Sequence, residues 1–215
     1  MAAYVDTQGR VDFRALAKDS SDLDQYIAFI AEHSPMATPQ LFPDEHTRLA
    51  HYLNSYNALS MKAILDEGIP ESLGGLKKFW FFGIKDHAIG NQEMTLYSYE
   101  NDIIRKLGEP RVHFALNCMS VGCPRLPQVP FDAATLATQL EAETRKFLNE
   151  ERNVRVDDSR RLVWLTEIFD FFPEDFLAES PSLIAYVNRY RARPIPADYK
   201  VKFIDYDWTV NGQPR

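Results

Sequence analysis

The chain has 215 residues, a formal net charge of −7, 45% hydrophobic residues and 26% charged residues. Fourteen Phe, ten Tyr and three Trp supply a sizeable core and argue against disorder over most of the length. The pI of about 5.3, with no basic run longer than Lys77-Lys78 or Arg160-Arg161, argues against nucleic-acid binding, and no apolar run nears the ~20 residues that span a bilayer.

The first clear element is SSDLDQYIAFIAEH, Ser20 to His33. Ser20 or Ser21 can cap it, Leu23, Tyr26, Ile27 and Ile30 share a face, and Pro35 stops it. A longer helix is predicted from about Asp44 to Glu67, with Gly68 as its stop. Leu49, Tyr52, Leu53, Tyr56, Ala63 and Ile64 form its apolar stripe. His51, Asn54 and Asn57 form a second, polar stripe, which either faces solvent and loops or lends an amide to position a loop or a substrate.

KFWFFGI, Lys78 to Ile84, reads as a buried aromatic strand. Gly90-Asn91 marks a turn, and Glu93 to Tyr97 a short strand. Ser98 to Gly108 is expected as a helix capped by Ser98, with Glu100 at the edge of its core-facing side. RVHFALN, Arg111 to Asn117, reads as a strand. Asp132 to Glu150 is an amphipathic helix with Asp132 as cap. VRV and RLVWLT flank Asp157-Asp158-Ser159 as a hairpin. EIFDFFPEDF is short-helical around Pro173, SPSLIAYVNRY is a helix with Pro181 in its first turn, and KVKFIDYDW is a final strand. About five helices and five short strands, without βαβ alternation, favour an α+β fold: one domain over residues 1–215, with a small mixed or antiparallel sheet.

Both cysteines lie in RVHFALNCMSVGCPRL, Arg111 to Leu126. Cys118 and Cys123 are too far apart for a CxxC motif and too few for a tetrahedral zinc site, so no metal or cofactor is expected. Four readings stay open: a nucleophile, a disulfide or redox pair, part of a metal site, and a buried structural thiol. For the nucleophile, His113 is the nearest base in sequence and Glu100 an acid to orient it. Strand alternation would put His113 and Cys118 on opposite faces, so the pair needs a turn after Asn117. Met119 to Pro124 supplies breakers for that turn, and its N–H groups are candidates to hold an oxyanion, with Ser120 and Asn117 as support.

YLNSYNAL (Tyr52 to Leu59), YSYENDIIRK (Tyr97 to Lys106), RVHFALNCMSVGCP, EIFDFFPEDF (Glu167 to Phe176) and YDWTVN (Tyr206 to Asn211) together resemble the DUF547 family over nearly the whole chain. The resemblance implies an α+β domain related to papain-like and transglutaminase-like cysteine enzymes. It further implies a thiol hydrolase or acyl transferase acting on a peptide, isopeptide or γ-glutamyl amide, with a small peptide or glutathione-like substrate. Cys118 matches the more general family cysteine, and Cys123 falls where other members have serine. His113 and Glu100 match the pattern, whereas Asn101 stands where many members have histidine and His51 where an aromatic is usual. The resemblance also implies a bacterial, exported or periplasmic protein, with residues 1–15 the start of a trimmed N-terminal region. The competing expectation is a non-catalytic interaction domain, with Cys118 buried and no cleft beside His113.

Overall fold

A computed structural model describes residues 3–214. Its architecture is α+β, with nine α-helical segments and two small sheets among the described residues. Two short helices, α1 (Phe13–Lys18) and α2 (Ser21–Glu32), pack around the central α3 (Glu45–Asp66). Asp44 caps α3 by accepting the Thr47 N–H. Past its end, Gly68 adopts φ +71°, the left-handed conformation that glycine enters without steric cost. The stripe read from the sequence understates α3, because nearly every residue from Leu49 to Ile64 is buried, on all sides. A helix enclosed all round must find partners for its polar side chains within the protein.

The Lys78–Ile84 run is not a strand. It belongs to α4 (Leu76–Gly83), of which only Phe81 is buried; Phe79 is 67% and Trp80 50% exposed. A short aromatic run does not distinguish strand from helix by itself. Here the run coils, with the Ile84 N–H donating to the Trp80 carbonyl, and the following strands β1 (Asp86–Ile89) and β2 (Gln92–Thr95) pair with each other. Gly90 and Asn91 join these two strands with φ +58° and +63°, the pair of left-handed residues that a tight hairpin turn demands.

The helix expected from Ser98 starts earlier. Thr95, not Ser98, is its cap, accepting the Ser98 N–H. α5 (Leu96–Ser98) widens at once into a π-helical turn, Tyr99–Ile104, and tightens into a 3₁₀ turn, Arg105–Leu107, before Gly108. Such widened turns often accompany functional sites, and this one carries Glu100.

The Arg111–Asn117 segment is also not a strand. Pro110–Phe114 forms a 3₁₀ helix with Pro110 in its first turn and the Glu109 carboxylate accepting the Arg111 N–H. It sits between two cores: Val112 joins the helical core around α3, and Phe114 joins an aromatic core around the second sheet.

That sheet orders β3 (Val154–Asp157), β4 (Leu162–Thr166) and β5 (Lys200–Ile204), antiparallel then parallel, with β4 central. α6 (Leu136–Asn149), α7 (Ile168–Phe171), α8 (Pro173–Leu177) and α9 (Leu183–Asn188) complete the second half. α6 begins four residues after the expected cap, because Asp132 closes a preceding turn onto the Ala134 N–H. In α9 the Ser182 hydroxyl is the cap, so Pro181 precedes the helix rather than opening it. Among the described residues no helix is long and apolar enough to cross a membrane.

Candidate functional site

Two asparagines of α3 fix the segments around the cysteines. Asn57 donates to the Ala115 carbonyl (3.0 Å) and accepts the Asn117 N–H (2.7 Å). Asn54 makes the same two-way clasp with the backbone of Phe131. The polar stripe therefore positions loops. His51, the third member, is instead buried against Phe42. Burial drives its pKa down to about 4.

Asn117 then turns the chain. Its side chain accepts the Met119 N–H (2.7 Å) and donates to the Pro124 carbonyl (2.6 Å), and Met119 takes φ +67°. The C-terminal segment clips this loop from outside: Val121 N–H donates to Thr209, Gly122 N–H to Asp207, and Asn211 N–H to Met119. Gly122 lies so close to Tyr206 that a Cβ there would stand 2.8 Å from the ring.

The loop brings four polar side chains into one ring. Cys118 Sγ and Cys123 Sγ are 2.6 Å apart, and neither cysteine is in a disulfide. Ser120 Oγ is 3.0 Å from Cys118 Sγ and donates to the Tyr206 hydroxyl at 3.1 Å. Tyr206 donates to Cys123 Sγ at 3.0 Å, and the Cys118 N–H donates to the same sulfur at 3.0 Å. One consistent set of donors has Ser120 donating to Tyr206, and both Tyr206 and the Cys118 thiol donating to Cys123, which leaves the negative charge of the singly deprotonated pair on Cys123.

Burial raises thiol pKa values, and at Cys118 this wins, helped by the neighbouring Cys123. At Cys123 the bonds from Cys118, Ser120 and Tyr206 outweigh burial and pull the thiol below its ordinary range. The two sulfurs titrate as a unit that gives up one proton readily and holds the second. Burial and both nearby thiols push the Tyr206 phenol far up, so it stays a donor at neutral pH.

The sulfurs form part of the wall of a groove of about 540 Å³ that also reaches Glu100 and His113. His113 is not bonded to either sulfur. Its Nε2 lies 2.7 Å from Asp175 Oδ2, and its ring stacks on Phe172 at 4.4 Å between centroids. Asp175 also receives two bonds from Arg105, at 2.7 and 3.0 Å. Burial would raise the Asp175 pKa; the bonds from His113 and Arg105 reverse that and hold it well below the usual carboxylate range. Glu100, named from the sequence as the orienting acid, instead accepts the Tyr56 hydroxyl at 2.9 Å. Burial raises its pKa, partly offset by His113 and Tyr56.

Of the residues read from the sequence, Cys118 and Ser120 meet directly, and Asn57 and Asn117 build their loop. Glu100 and His113 share the groove without touching the sulfurs. The loop N–H groups expected to hold an oxyanion are largely committed: those of Asn117, Cys118, Met119, Val121, Gly122 and Cys123 are all donated elsewhere. Sequence reasoning gave no role to Tyr206 and Asp175, although both lie in the quoted segments YDWTVN and EIFDFFPEDF. Among the described residues no group of three His, Cys, Asp or Glu could hold a metal ion.

A family model described as "Protein of unknown function, DUF547" matches residues 40–148. No curated protein and no solved structure matches the chain. The matched stretch contains α3, Glu100, His113 and both cysteines, while Asp175 and Tyr206 fall outside it. With half of its length covered by that model, the chain belongs to the DUF547 family.

Proposed function

We propose that the protein is a thiol-dependent acyl-transfer enzyme, a hydrolase or transferase acting on amide bonds, with a papain-like or transglutaminase-like division of labour. The observation that carries this reading is the buried dithiol, held by a tyrosine, a serine and a backbone N–H on the wall of an open groove, with a carboxylate-bonded histidine in the same groove. A thiolate beside the attacking thiol can serve as its base at neutral pH, and the Cys123 environment favours one.

Cys118 is the attacking sulfur. It has fewer partners than Cys123, which also accepts a backbone N–H, and this leaves its lone pair more available. Its proton passes to Cys123 across their contact as its sulfur bonds to the substrate carbonyl carbon. The carbonyl electrons move to oxygen, where the Tyr206 hydroxyl, on the groove wall 3.5 Å from the attacking sulfur, is the donor at hand. When the C–N bond breaks, His113 gives a proton to the leaving nitrogen, with Asp175, rather than Glu100, orienting the ring. Water, giving its proton to His113, then cleaves the thioester, and Cys123 returns its proton to the departing Cys118 sulfur, which regenerates the starting pair.

The competing interaction-domain reading expects Cys118 buried, as it is, and no cleft beside His113; the groove counts against it. A second chemical reading rests on the 2.6 Å sulfur contact. The two thiols would reduce a disulfide substrate, each losing a proton as one S–S bond forms between them. Titration of free thiols before and after treatment with oxidised glutathione distinguishes it, because a redox pair loses two thiols reversibly.

Acetyl transfer from p-nitrophenyl acetate tests the main reading. The expected result is a burst of nitrophenolate and an acetyl adduct on Cys118, absent from Cys118→Ala, with slowed turnover in His113→Gln. No burst, or the same adduct yield in Cys118→Ala, would sink it.

A further inference from the structure

The groove has a chemical character beyond its thiols. Besides the sulfurs its wall is dominated by rings, and its charged or titratable members beyond the thiols and tyrosines are Lys78, Glu100 and His113. His113 is bonded to Asp175 and Glu100 to Tyr56. Lys78 makes no salt bridge among the described residues, and its Nζ contacts are the rings of Phe171 and Trp208.

Many surface lysines lack a partner, and Lys78 differs from them in how it is held. Its Nζ sits 4.3 Å from the Trp208 ring centroid and 5.3 Å from that of Phe171. Trp208 lies 4.5 Å from Tyr206, whose hydroxyl bonds Cys123. The ammonium group is therefore fixed two rings along the wall from the sulfurs. Stacking on rings orients this exposed cation along the wall without neutralising it.

We infer that the groove takes an amide substrate carrying a free carboxylate beside an aromatic or large apolar side chain, as the C-terminal end of a short peptide does. This rests on the acyl-transfer reading and narrows it. The rings take the apolar side chain, Lys78 takes the carboxylate, and the scissile carbonyl is brought to Cys118. It differs from a γ-glutamyl or glutathione-like substrate, which offers carboxylates but no apolar group to fill the rings.

Two matched pairs of probes test it. N-bromoacetyl-L-phenylalanine and its C-terminal amide alkylate thiols by the same displacement, in which an S–C bond forms and bromide leaves. The acid should label the native protein about fivefold or more faster than the amide, a ratio that matches an ion pair of roughly 1 kcal/mol. Lys78→Gln, on an exposed part of α4 where folding is not at stake, should bring the two rates together, and Lys78→Arg should keep the gap. In the second pair, equilibrium dialysis of N-acetyl-L-phenylalanine against N-acetyl-L-phenylalaninamide reads the groove without any thiol chemistry. Tighter binding of the acid, lost in Lys78→Gln, supports the inference even if no probe labels a cysteine, in which case only the acyl-transfer reading fails. Equal binding of acid and amide, no binding of either, or a preference that survives Lys78→Gln overturns it.

Discussion

The groove has two polar walls from one stretch of sequence, and they are built in opposite ways. At the sulfur wall, Cys118 and Cys123 are gathered by a local turn and held mostly by neutral donors: a serine, a tyrosine and an N–H. At the histidine wall, His113 is held by a formal charge on another element, Asp175 of α8, which Arg105 also grips. Neutral donors around a buried thiol let one proton leave near neutral pH. A carboxylate tied to a guanidinium stays charged across that range and fixes geometry. The difference assigns tuning to one wall and positioning to the other.

The largest expected effect comes from breaking the hinge between the walls. Asn57→Ala strips partners from the buried Ala115 carbonyl and Asn117 N–H, and should cost about 3–4 kcal/mol in urea unfolding. It should also loosen both walls together, seen as altered thiol labelling and faster hydrogen exchange from Ala115 to Cys118.

Asp175→Ala should act on one wall only. It leaves the buried His113 without its acceptor and Arg105 with only Glu174 and Asn101, at a cost of about 2–3 kcal/mol. The pH dependence has a definite sign. The Asp175 pKa is depressed in the folded state, so its contribution is present above the unfolded value of about 3.9 and lost as pH falls below it. The stability gap between wild type and variant should therefore shrink in acid; a constant gap from pH 7 to pH 3 would contradict the pairing.

Tyr206→Phe should leave the histidine wall intact and cost about 1–2 kcal/mol, while raising the pH midpoint of thiol alkylation by about one unit. Gly122→Ala should shift that midpoint in the same direction, because its methyl group displaces the Tyr206 ring. The smallest effect is expected from Glu100→Gln. Burial disfavours its carboxylate, so the variant should be more stable than wild type by about 1 kcal/mol or less at pH 8, an advantage that shrinks as pH falls and the carboxyl takes up its proton.

The helical half was legible because α2 and α3 are long enough for their periodicity to speak; the serine cap read for α2 is not made, since the Ser20 hydroxyl donates to the Asp24 carboxylate instead. The segments that form the groove were not legible. Lys78–Ile84 and Arg111–Asn117 are short apolar runs, and only tertiary context decides whether such runs extend or coil. Reading the second as a strand created an apparent conflict between His113 and Cys118; in the 3₁₀ helix followed by an Asn117 turn, alternation does not apply. Cys118, Cys123 and Ser120 were legible as neighbours because the loop is local. Asp175 and Tyr206 were hidden because each lies more than sixty residues from its partner, 62 for His113 and 83 for Cys123, and pairing over that span leaves no spacing signature.

The backbone clip between residues 119–122 and 207–211 also bears on the order in which the protein forms. On a ribosome the cysteine loop emerges long before Tyr206 and its neighbours, so it waits without the strand-like contacts and hydroxyl that complete it. The nascent thiols would thus behave as ordinary ones until synthesis has passed Tyr206. A chain stopped before Asp205 should show two freely alkylated cysteines of unexceptional reactivity, while its α3 helix is already present.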